Sequence, residues 1–112
     1  MEDWPDGNVD LWSWNINGIN AVLNKGDLIA FMKEVNPTVL CLNETKTSID
    51  MIEKKSFATQ IVPGYTQYWN CCKIRKGYSG TAIFTKVRPL SVKFDFGSKH
   101  VQEGRSITME FK

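Results

Sequence analysis

The apolar run at residues 39–42 constrains the fold of this chain more than any other feature. Val39, Leu40, Cys41 and Leu42 follow one another without a polar residue, and Glu44 comes two positions later. A strand with apolar side chains on both faces is buried from both sides, as in the centre of an α/β sheet. A charge has no packing role at the end of such a strand, whereas ligands and metals collect at that end of α/β sheets. The run therefore predicts a buried strand that delivers the Glu44 carboxylate to a site.

A second segment, residues 11–18, has the same form. Its sequence is L-W-S-W-N-I-N-G, so an apolar strand runs into Asn15, Asn17 and Gly18. If the two strands end side by side, Asn15 and Glu44 lie close together. Carboxylate and amide oxygens are the ligands that hard divalent cations prefer. The sequence thus favours a cation site at one edge of the sheet.

The remaining periodicity predicts an α/β fold with one mixed, mostly antiparallel sheet and two helices on one face. Asp27 is suited to cap the first helix, and Ser48 or Asp50 to start the second. Residues 1–10 are expected to form an irregular leader, and 11–112 the folded unit. The predicted strands are 11–16, 38–43, 66–73, 80–86, 90–96 and 105–111, and the predicted helices are 27–35 and 50–59.

Composition narrows the class of protein. With 42% hydrophobic and 23% charged residues, the chain has the composition of an ordinary globular domain, which argues against disorder. No apolar stretch approaches the roughly 20 residues of a membrane span, and the acidic N-terminus does not look like a signal peptide. Three cysteines cannot all pair within the chain, which favours a reducing compartment.

Charge is unevenly distributed along the chain. Residues 1–56 contain 5 Lys or Arg and 9 Asp or Glu, whereas residues 57–112 contain 9 and 3. The second half therefore carries a net charge of +6, and it includes the basic cluster K-I-R-K at residues 73–76. Such a cluster is suited to phosphate, although a solvated loop explains it equally well.

Four motifs carry a resemblance to a known family. They are S-W-N-I-N-G at 13–18, L-C-L-N-E-T-K at 40–46, Y-S-G at 78–80 and E-G-R at 103–105. In order and spacing they resemble the N-terminal half of the exonuclease III-like apurinic/apyrimidinic endonucleases, in the endonuclease/exonuclease/phosphatase superfamily. The similarity runs from about residue 11 to residue 111, and Q-Y-W at 67–69 looks closer to the eukaryotic branch. The resemblance implies half of a four-layer α/β sandwich, with the C-terminal half absent.

The resemblance also implies roles for individual residues. Glu44 would ligate the catalytic Mg²⁺, for which Mn²⁺ is an expected substitute, and Asn15 would order the site. Both are catalytic candidates. Asn17 stands where many relatives carry Asp, which weakens any metal role for it. The implied DNA-binding residues are Asn17, Gly18, Lys46, Tyr78 and Arg105.

Structural explanations for the same residues stay open. Glu44 also suits a surface cap of a turn, and Asn15 an Asx-turn at a strand end. Arg105 has Glu103 or Asp95 as an alternative, intrachain partner. Asn20 stands where relatives often have Arg, so one cationic DNA contact is expected to be missing unless Lys25 replaces it. His100 is read as a loop residue, because the family's catalytic histidine lies in a Ser-Asp-His motif absent from this chain.

The implied function is base excision repair: Mg²⁺-dependent hydrolysis of the DNA phosphodiester 5′ to an abasic site in double-stranded DNA. Nuclear localisation is expected, with the cytoplasm as the alternative. The Asp-Leu-Asn and Ser-Asp-His motifs are absent, so the chain alone is expected to be inactive. The alternative is an inactive truncated paralogue or fragment that binds nucleic acid or a protein partner.

The uncovered face of the sheet is expected to be apolar, with Trp, Ile, Phe and Met exposed on it. Soluble monomers avoid a large patch of this kind. We therefore expect the missing C-terminal half, or a second copy in a dimer, to cover it.

Overall fold

The computed structural model describes residue 7 and residues 9–57, 63–95 and 103–112 of the chain. Strands and helices alternate in the first half, and strands predominate in the second. The elements are β1 (Leu11–Asn15), α1 (Ile19–Lys25), α2 (Asp27–Val35), β2 (Val39–Asn43), α3 (Ile49–Lys54), β3 (Thr66–Asn70), β4 (Thr81–Thr85), β5 (Ser91–Phe94) and β6 (Ile107–Glu110).

The main sheet has four strands in the order β1-β2-β4-β3. β1 and β2 are parallel, and Asn15 lies beside Asn43 at their shared end. β4 is antiparallel to β2, with Thr81 beside Asn43. The C-terminal ends of β1 and β2 and the start of β4 therefore meet at one edge of the sheet. This edge is where the sequence predicts the site.

The helices cover one face of this sheet and enclose the hydrophobic core. Side chains alternate along a strand, so one set of positions in each strand points to the helices. Leu40, Leu42 and Phe84 are almost fully buried there, and Trp14 packs against Phe31 of α2 with ring centroids 5.5 Å apart. Each large apolar side chain buried in this way contributes about 1.5–3 kcal/mol. The central position predicted for β2 is confirmed.

The opposite face differs from the expectation of an exposed apolar surface. Trp14 and Phe84 lie on the helix-covered side, because Phe84 belongs to the hydrophobic core and Trp14 packs against that core. Side chains on the open face come from the alternate positions of each strand. On the open face, β1 and β2 present Ser13 and Asn43, which are exposed and polar. Ile83 of β4 is buried and lies at a cavity shared with the start of β6. The open face is consequently mixed: it also carries Leu11, which is 66% exposed, but not the main-sheet Trp and Phe side chains that were expected there.

The predicted α/β class and mixed sheet are confirmed, with two differences in detail. α1 was not predicted; its buried residues Ile19 and Val22 recur at helical spacing, but the helix is only seven residues long. β5 and β6 form a separate two-stranded antiparallel sheet rather than extending the main one. α1 closes tightly against α2 because the left-handed Gly26 ends one helix and begins the next.

Several element boundaries also differ from the predictions. The second predicted helix begins one residue early, after Ser48, whose Oγ accepts a hydrogen bond from the Met51 backbone N–H at 3.3 Å. β3 ends at Asn70 rather than at residue 73. The chain turns there, and the Arg75 backbone N–H donates to Cys72 Sγ at 3.3 Å.

Some predictions lie outside the described residues. They concern most of the leader at 1–10, residue 96 of a strand, and His100. The helix predicted to end at residue 59 ends instead at Lys54. Among the described residues, no helix is long and apolar enough to cross a membrane. Cys41, Cys71 and Cys72 are all free thiols.

Candidate active site at the strand ends

Backbone hydrogen bonds join the segments that follow β1 and β2. The Gly18 N–H donates to the Glu44 carbonyl at 2.8 Å, and the Ile19 N–H donates to the Thr45 carbonyl at 2.8 Å. Glu44 adopts a left-handed backbone conformation, with φ of 54°. The hydrogen bonding between the two parallel strands thus continues into the loops that follow them. These bonds fix the backbone of Glu44.

A third segment, just before β4, is hydrogen-bonded to the loop that follows β2. The Thr45 N–H donates to the Gly80 carbonyl at 3.1 Å, and the Lys46 N–H donates to the Ser79 carbonyl at 2.8 Å. A side chain at residue 80 would collide with Thr45, which is fully buried. The Y-S-G motif therefore includes a glycine because only glycine lets the two loops approach this closely.

The side chains of Asn15 and Glu44 are in direct contact at this edge. Asn15 Nδ2 donates a hydrogen bond to Glu44 Oε2. Asn15 Oδ1 in turn accepts from the Asn17 backbone N–H at 3.1 Å, which is the Asx-turn considered from the sequence. Both readings of Asn15 hold together: its oxygen organises the turn, and its nitrogen orients the carboxylate.

Lys46 places a positive charge beside this pair. Its Nζ donates to Asn17 Oδ1 at 2.5 Å and lies 4.0 Å from Glu44 Oε1. The Lys46 and Glu44 side chains are 40% and 46% exposed, so both remain accessible to a ligand from solvent. We call Asn15, Asn17, Glu44 and Lys46 the Glu44 cluster.

Tyr78 and Arg105 form a second group. Arg105 donates through Nη2 to the Tyr78 hydroxyl at 2.8 Å and to Glu103 Oε1 at 3.0 Å. These hydrogen bonds, first that to Glu103 and then that to Tyr78, raise the pKa of the Arg105 guanidinium. The intrachain pair with Glu103 that the sequence left open is present, and it coexists with the contact to Tyr78. We call these residues the Tyr78–Arg105 pair.

A cavity of about 230 Å³ lies next to Arg105 of the Tyr78–Arg105 pair. Arg105 lines this cavity together with Asn43, the residue before Glu44, and with Thr81 at the start of β4. The structure therefore brings all the predicted site residues to one edge of the molecule, in two clusters rather than one. Gly18 is part of the first cluster through its backbone, and its N–H is used by the Glu44 carbonyl.

Comparison with known proteins identifies the family. Residues 12–111 match the Endonuclease/Exonuclease/phosphatase family. The chain belongs to this family. It is 42% identical over 105 residues to an exodeoxyribonuclease of Bacillus subtilis, covering 93% of this chain and 39% of that protein. It is 37% identical over 114 residues to the DNA repair nuclease APEX1 of Danio rerio, covering 98% and 35%.

Solved structures show the same fold. An AP endonuclease from Archaeoglobus fulgidus superimposes with a TM-score of 0.73 at 27% identity, covering 93% of this chain and 37% of that one. An AP endonuclease from Leishmania major gives 0.66 at 34% identity, covering 88% and 33%. The chain thus spans well under half the length of these family members. Because both bacterial and eukaryotic proteins match, assignment to the eukaryotic branch stays a prediction.

In this family member, the donor set of the Glu44 cluster fits Mg²⁺. It offers one carboxylate, from Glu44, and the amide oxygens of Asn15 and Asn17. Mg²⁺ is commonly held by one or two carboxylates, with water and substrate phosphate filling the other positions. Within the described ranges, no three His, Cys, Asp or Glu side chains surround a common point. The cluster therefore suits an open site for a hard divalent cation, with water and substrate completing its coordination.

Sequence reasoning missed two parts of the site. One is the interlock of Thr45 with Gly80, for which the Ser-Gly dipeptide before β4 was the available signal. The other is an ion pair beside the cluster, between Lys76 Nζ and Asp50 Oδ2 at 2.8 Å. Its partners are 26 residues apart, and no local pattern predicts such a pair.

Proposed function

We propose that this chain is the metal-binding half of a DNA repair endonuclease that hydrolyses the phosphodiester 5′ to an abasic site. The observation that carries the proposal is the contact between Asn15 and Glu44 at the shared end of β1 and β2. Family membership supports it, as do relatives named DNA-(apurinic or apyrimidinic site) endonuclease and DNA repair nuclease.

Three residues of the Glu44 cluster have a defined task in this proposal. Glu44 supplies the charge that binds Mg²⁺, or Mn²⁺ in its place, and Asn15 holds that carboxylate in orientation through Nδ2. The bound ion would polarise the phosphate and lower the pKa of a coordinated water. Lys46 compensates the Glu44 charge before DNA arrives and is placed to contact a phosphate oxygen afterwards.

The Tyr78–Arg105 pair would contact double-stranded DNA beside the cavity that Arg105 lines. An arginine that already donates to Glu103 has donors left for phosphate, since guanidinium carries five N–H groups. The tyrosine hydroxyl, held by Arg105 at 2.8 Å, is oriented to donate its own proton to a phosphate oxygen. These contacts would position the strand without reading its sequence.

The chain is proposed to act as part of a longer or complemented enzyme. The Glu44 cluster holds a metal ligand and no general base, and the Ser-Asp-His and Asp-Leu-Asn motifs are absent from the sequence. A C-terminal half would supply those groups, and either that half or a second copy of the chain would cover the open sheet face. The domain assignment, leader 1–10 and half-domain 11–112, and a nuclear location, with the cytoplasm as alternative, belong to the same proposal.

A second candidate is a chain that binds nucleic acid or a protein partner without cutting. The Glu44 cluster has a single carboxylate, which favours this second candidate. Asn17 is neutral, whereas a second carboxylate at its position would strengthen metal binding. The two candidates predict different outcomes in a cleavage assay.

The test is a nicking assay on a duplex with one abasic site. A chimera in which residues 12–111 replace the matching part of the Bacillus subtilis exodeoxyribonuclease should nick this duplex in Mg²⁺, and the isolated chain should not. Glu44→Gln in the chimera should lower the rate by more than the ~10- to 100-fold typical of losing a residue that only supports a metal ligand. A folded chimera that binds the duplex but does not nick it would favour the non-cutting candidate.

A further inference from the structure

A second pocket, of about 290 Å³, adjoins the Glu44 cluster on the side of α3. Lys46 lines it and is shared with the Glu44 cluster. Its other walls come from α1, through Asn20, from the loop before α3, through Thr47, and from the turn before β4, through Lys76. The K-I-R-K segment singled out in the sequence thus ends at a pocket next to the proposed metal site.

The charged groups at this pocket are suited to an anion. Lys46 and Lys76 line it, and Lys55 lies beside it, with its Nζ 3.4 Å from Asn20 Oδ1. Among the described residues that line the pocket, Asp50 supplies the carboxylate, and it pairs with Lys76 at 2.8 Å. That pair is exposed, with 77% of the Lys76 side chain and 74% of the Asp50 side chain open to solvent. An exposed pair of this kind is weak and exchanges readily for another anion.

Hydroxyl groups complete the lining. Thr47 is 3% exposed, and within the part of the chain that the structure describes its Oγ1 has no hydrogen-bond partner. Ser48 also lines the pocket, and its Oγ accepts from the Met51 N–H, which leaves its own proton to donate. Two ammonium groups beside hydroxyl donors form a set that suits the oxygens of a phosphate group.

We infer that this pocket binds a backbone phosphate of DNA, with Lys76 as its main cation and Asp50 as the counter-ion that the phosphate displaces. Lys76 would thereby supply a positive charge opposite Asn20, the neutral residue through which α1 lines the pocket. The inference rests on the proposed function for the identity of the ligand as DNA. The existence of a phosphate site there depends only on the pocket.

Opposite effects of two substitutions test the inference. Lys76→Gln should weaken binding of a short duplex by about 3–10-fold at low salt and lower the slope of log affinity against log salt by about one. Asp50→Asn should strengthen binding, because it frees Lys76. In the double variant the effect of Asp50→Asn should vanish, since it acts through Lys76. Fluorescence anisotropy without added metal, on the full chain, measures all three.

Lys33→Gln and Glu34→Gln are matched controls, because they make the same charge changes on exposed positions of α2. They should change DNA affinity less than the pocket variants do. If the Asp50–Lys76 pair only stabilises the loop, Asp50→Asn will weaken binding as Lys76→Gln does, and the inference is overturned. Unchanged affinity in both variants overturns it as well.

Inorganic phosphate distinguishes the two sources of the ligand. Shifts of the amide resonances of residues 46–51 and 76–77 with millimolar phosphate would show a general phosphate site, and shifts with the duplex alone a site for backbone phosphate. No shift with either overturns the inference. Because these readouts need no cleavage, opposite effects of the two variants would support the pocket even if the chimera fails to nick DNA.

Discussion

The Glu44 cluster and the Tyr78–Arg105 pair lie at the same edge of the molecule but are held in different ways. Glu44 and Lys46 sit in a loop whose backbone is hydrogen-bonded to the segments after β1 and before β4. Tyr78 and Arg105 meet through their side chains, 27 residues apart in the chain. The first group is fixed by the sheet, whereas the second depends on how β6 docks against β4.

The difference matches the chemistry proposed for each group. A metal ligand must be held within a few tenths of an ångström of its productive position. Side chains that contact a flexible phosphate backbone tolerate more positional freedom, because several such contacts together position the DNA. We therefore expect substitution of Glu44 to affect metal binding, and substitutions near Arg105 to affect DNA binding.

The largest effect should come from the backbone that supports Arg105. A side chain at Gly104 would stand 2.6 Å from the Asn70 carbonyl oxygen and 2.7 Å from the Cys72 nitrogen. Because these are backbone atoms, Gly104→Ala should destabilise the fold by more than about 2 kcal/mol. Gly77→Ala is the matched control, with φ of 77° and no atom within 4 Å, and should cost only about 1 kcal/mol. Urea unfolding measures both.

Equal destabilisation by the two alanines would show that Gly104 is needed only for its backbone conformation. The docking of β6 would then be looser than the structure indicates, and the comparison between the two groups would lose its basis.

Arg105→Ala should reduce affinity for duplex DNA by about 10-fold at low salt and lower the salt dependence by about one phosphate contact. Binding of Mn²⁺ should not change, since Arg105 belongs to the second group. Glu44→Gln should show the reverse pattern. Titrations of duplex and metal into both variants check this, and a variant that loses both ligands would show that the two groups act as one.

The sequence was sufficient for the Glu44 cluster because its information is local. An apolar run ending in a carboxylate, beside a second run ending in an amide, predicts the meeting of Asn15 and Glu44 from strand geometry alone. The backbone hydrogen bond from Thr45 was not predictable, because its acceptor is Gly80, in the segment just before β4 and 35 residues later in the chain. Long-range contacts of that kind leave no periodic signal.

The fold shows the same limit. Which face of the sheet a side chain points to depends on the register of its strand, and the register places Trp14 and Phe84 on the helix side. The strands were therefore predictable from the sequence, but the face to which each side chain points was not. The prediction that β5 and β6 belong to the main sheet was wrong for a related reason. Apolar content predicts a strand, but only pairing decides which sheet it joins.

A smaller effect is expected at Asn17, where the cluster lacks a second carboxylate. Asn17→Asp should raise Mn²⁺ affinity several-fold, about 5-fold by the role of ligand charge in such sites. The gain is limited because Lys46, which now donates to Asn17 Oδ1 at 2.5 Å, will pair with the new carboxylate. Isothermal titration calorimetry measures the Mn²⁺ affinity, with Asn24→Asp, at an exposed position of α1, as the control. Equal gains in the two variants would place the metal elsewhere.

The smallest effect concerns pH and the Arg105 side of the molecule. Burial, with a smaller contribution from Cys72, raises the pKa of the Cys71 thiol to about 11 from its ordinary value of 9.0. Between these values the unfolded thiol ionises and the folded one does not, so the unfolding free energy should fall as pH rises from 9 to 11. Cys71→Ala should reduce this slope in denaturant titrations. An unchanged slope would assign it to other groups.

The central claim is that Glu44 binds the metal at the shared end of β1 and β2. Paramagnetic broadening of backbone amide resonances by Mn²⁺ tests it most directly, on this chain and without DNA. We predict selective broadening of residues 15–18 and 43–46, abolished by Glu44→Gln and retained in Glu53→Gln, an exposed carboxylate on α3. Broadening centred elsewhere, or unchanged in Glu44→Gln, would contradict the claim.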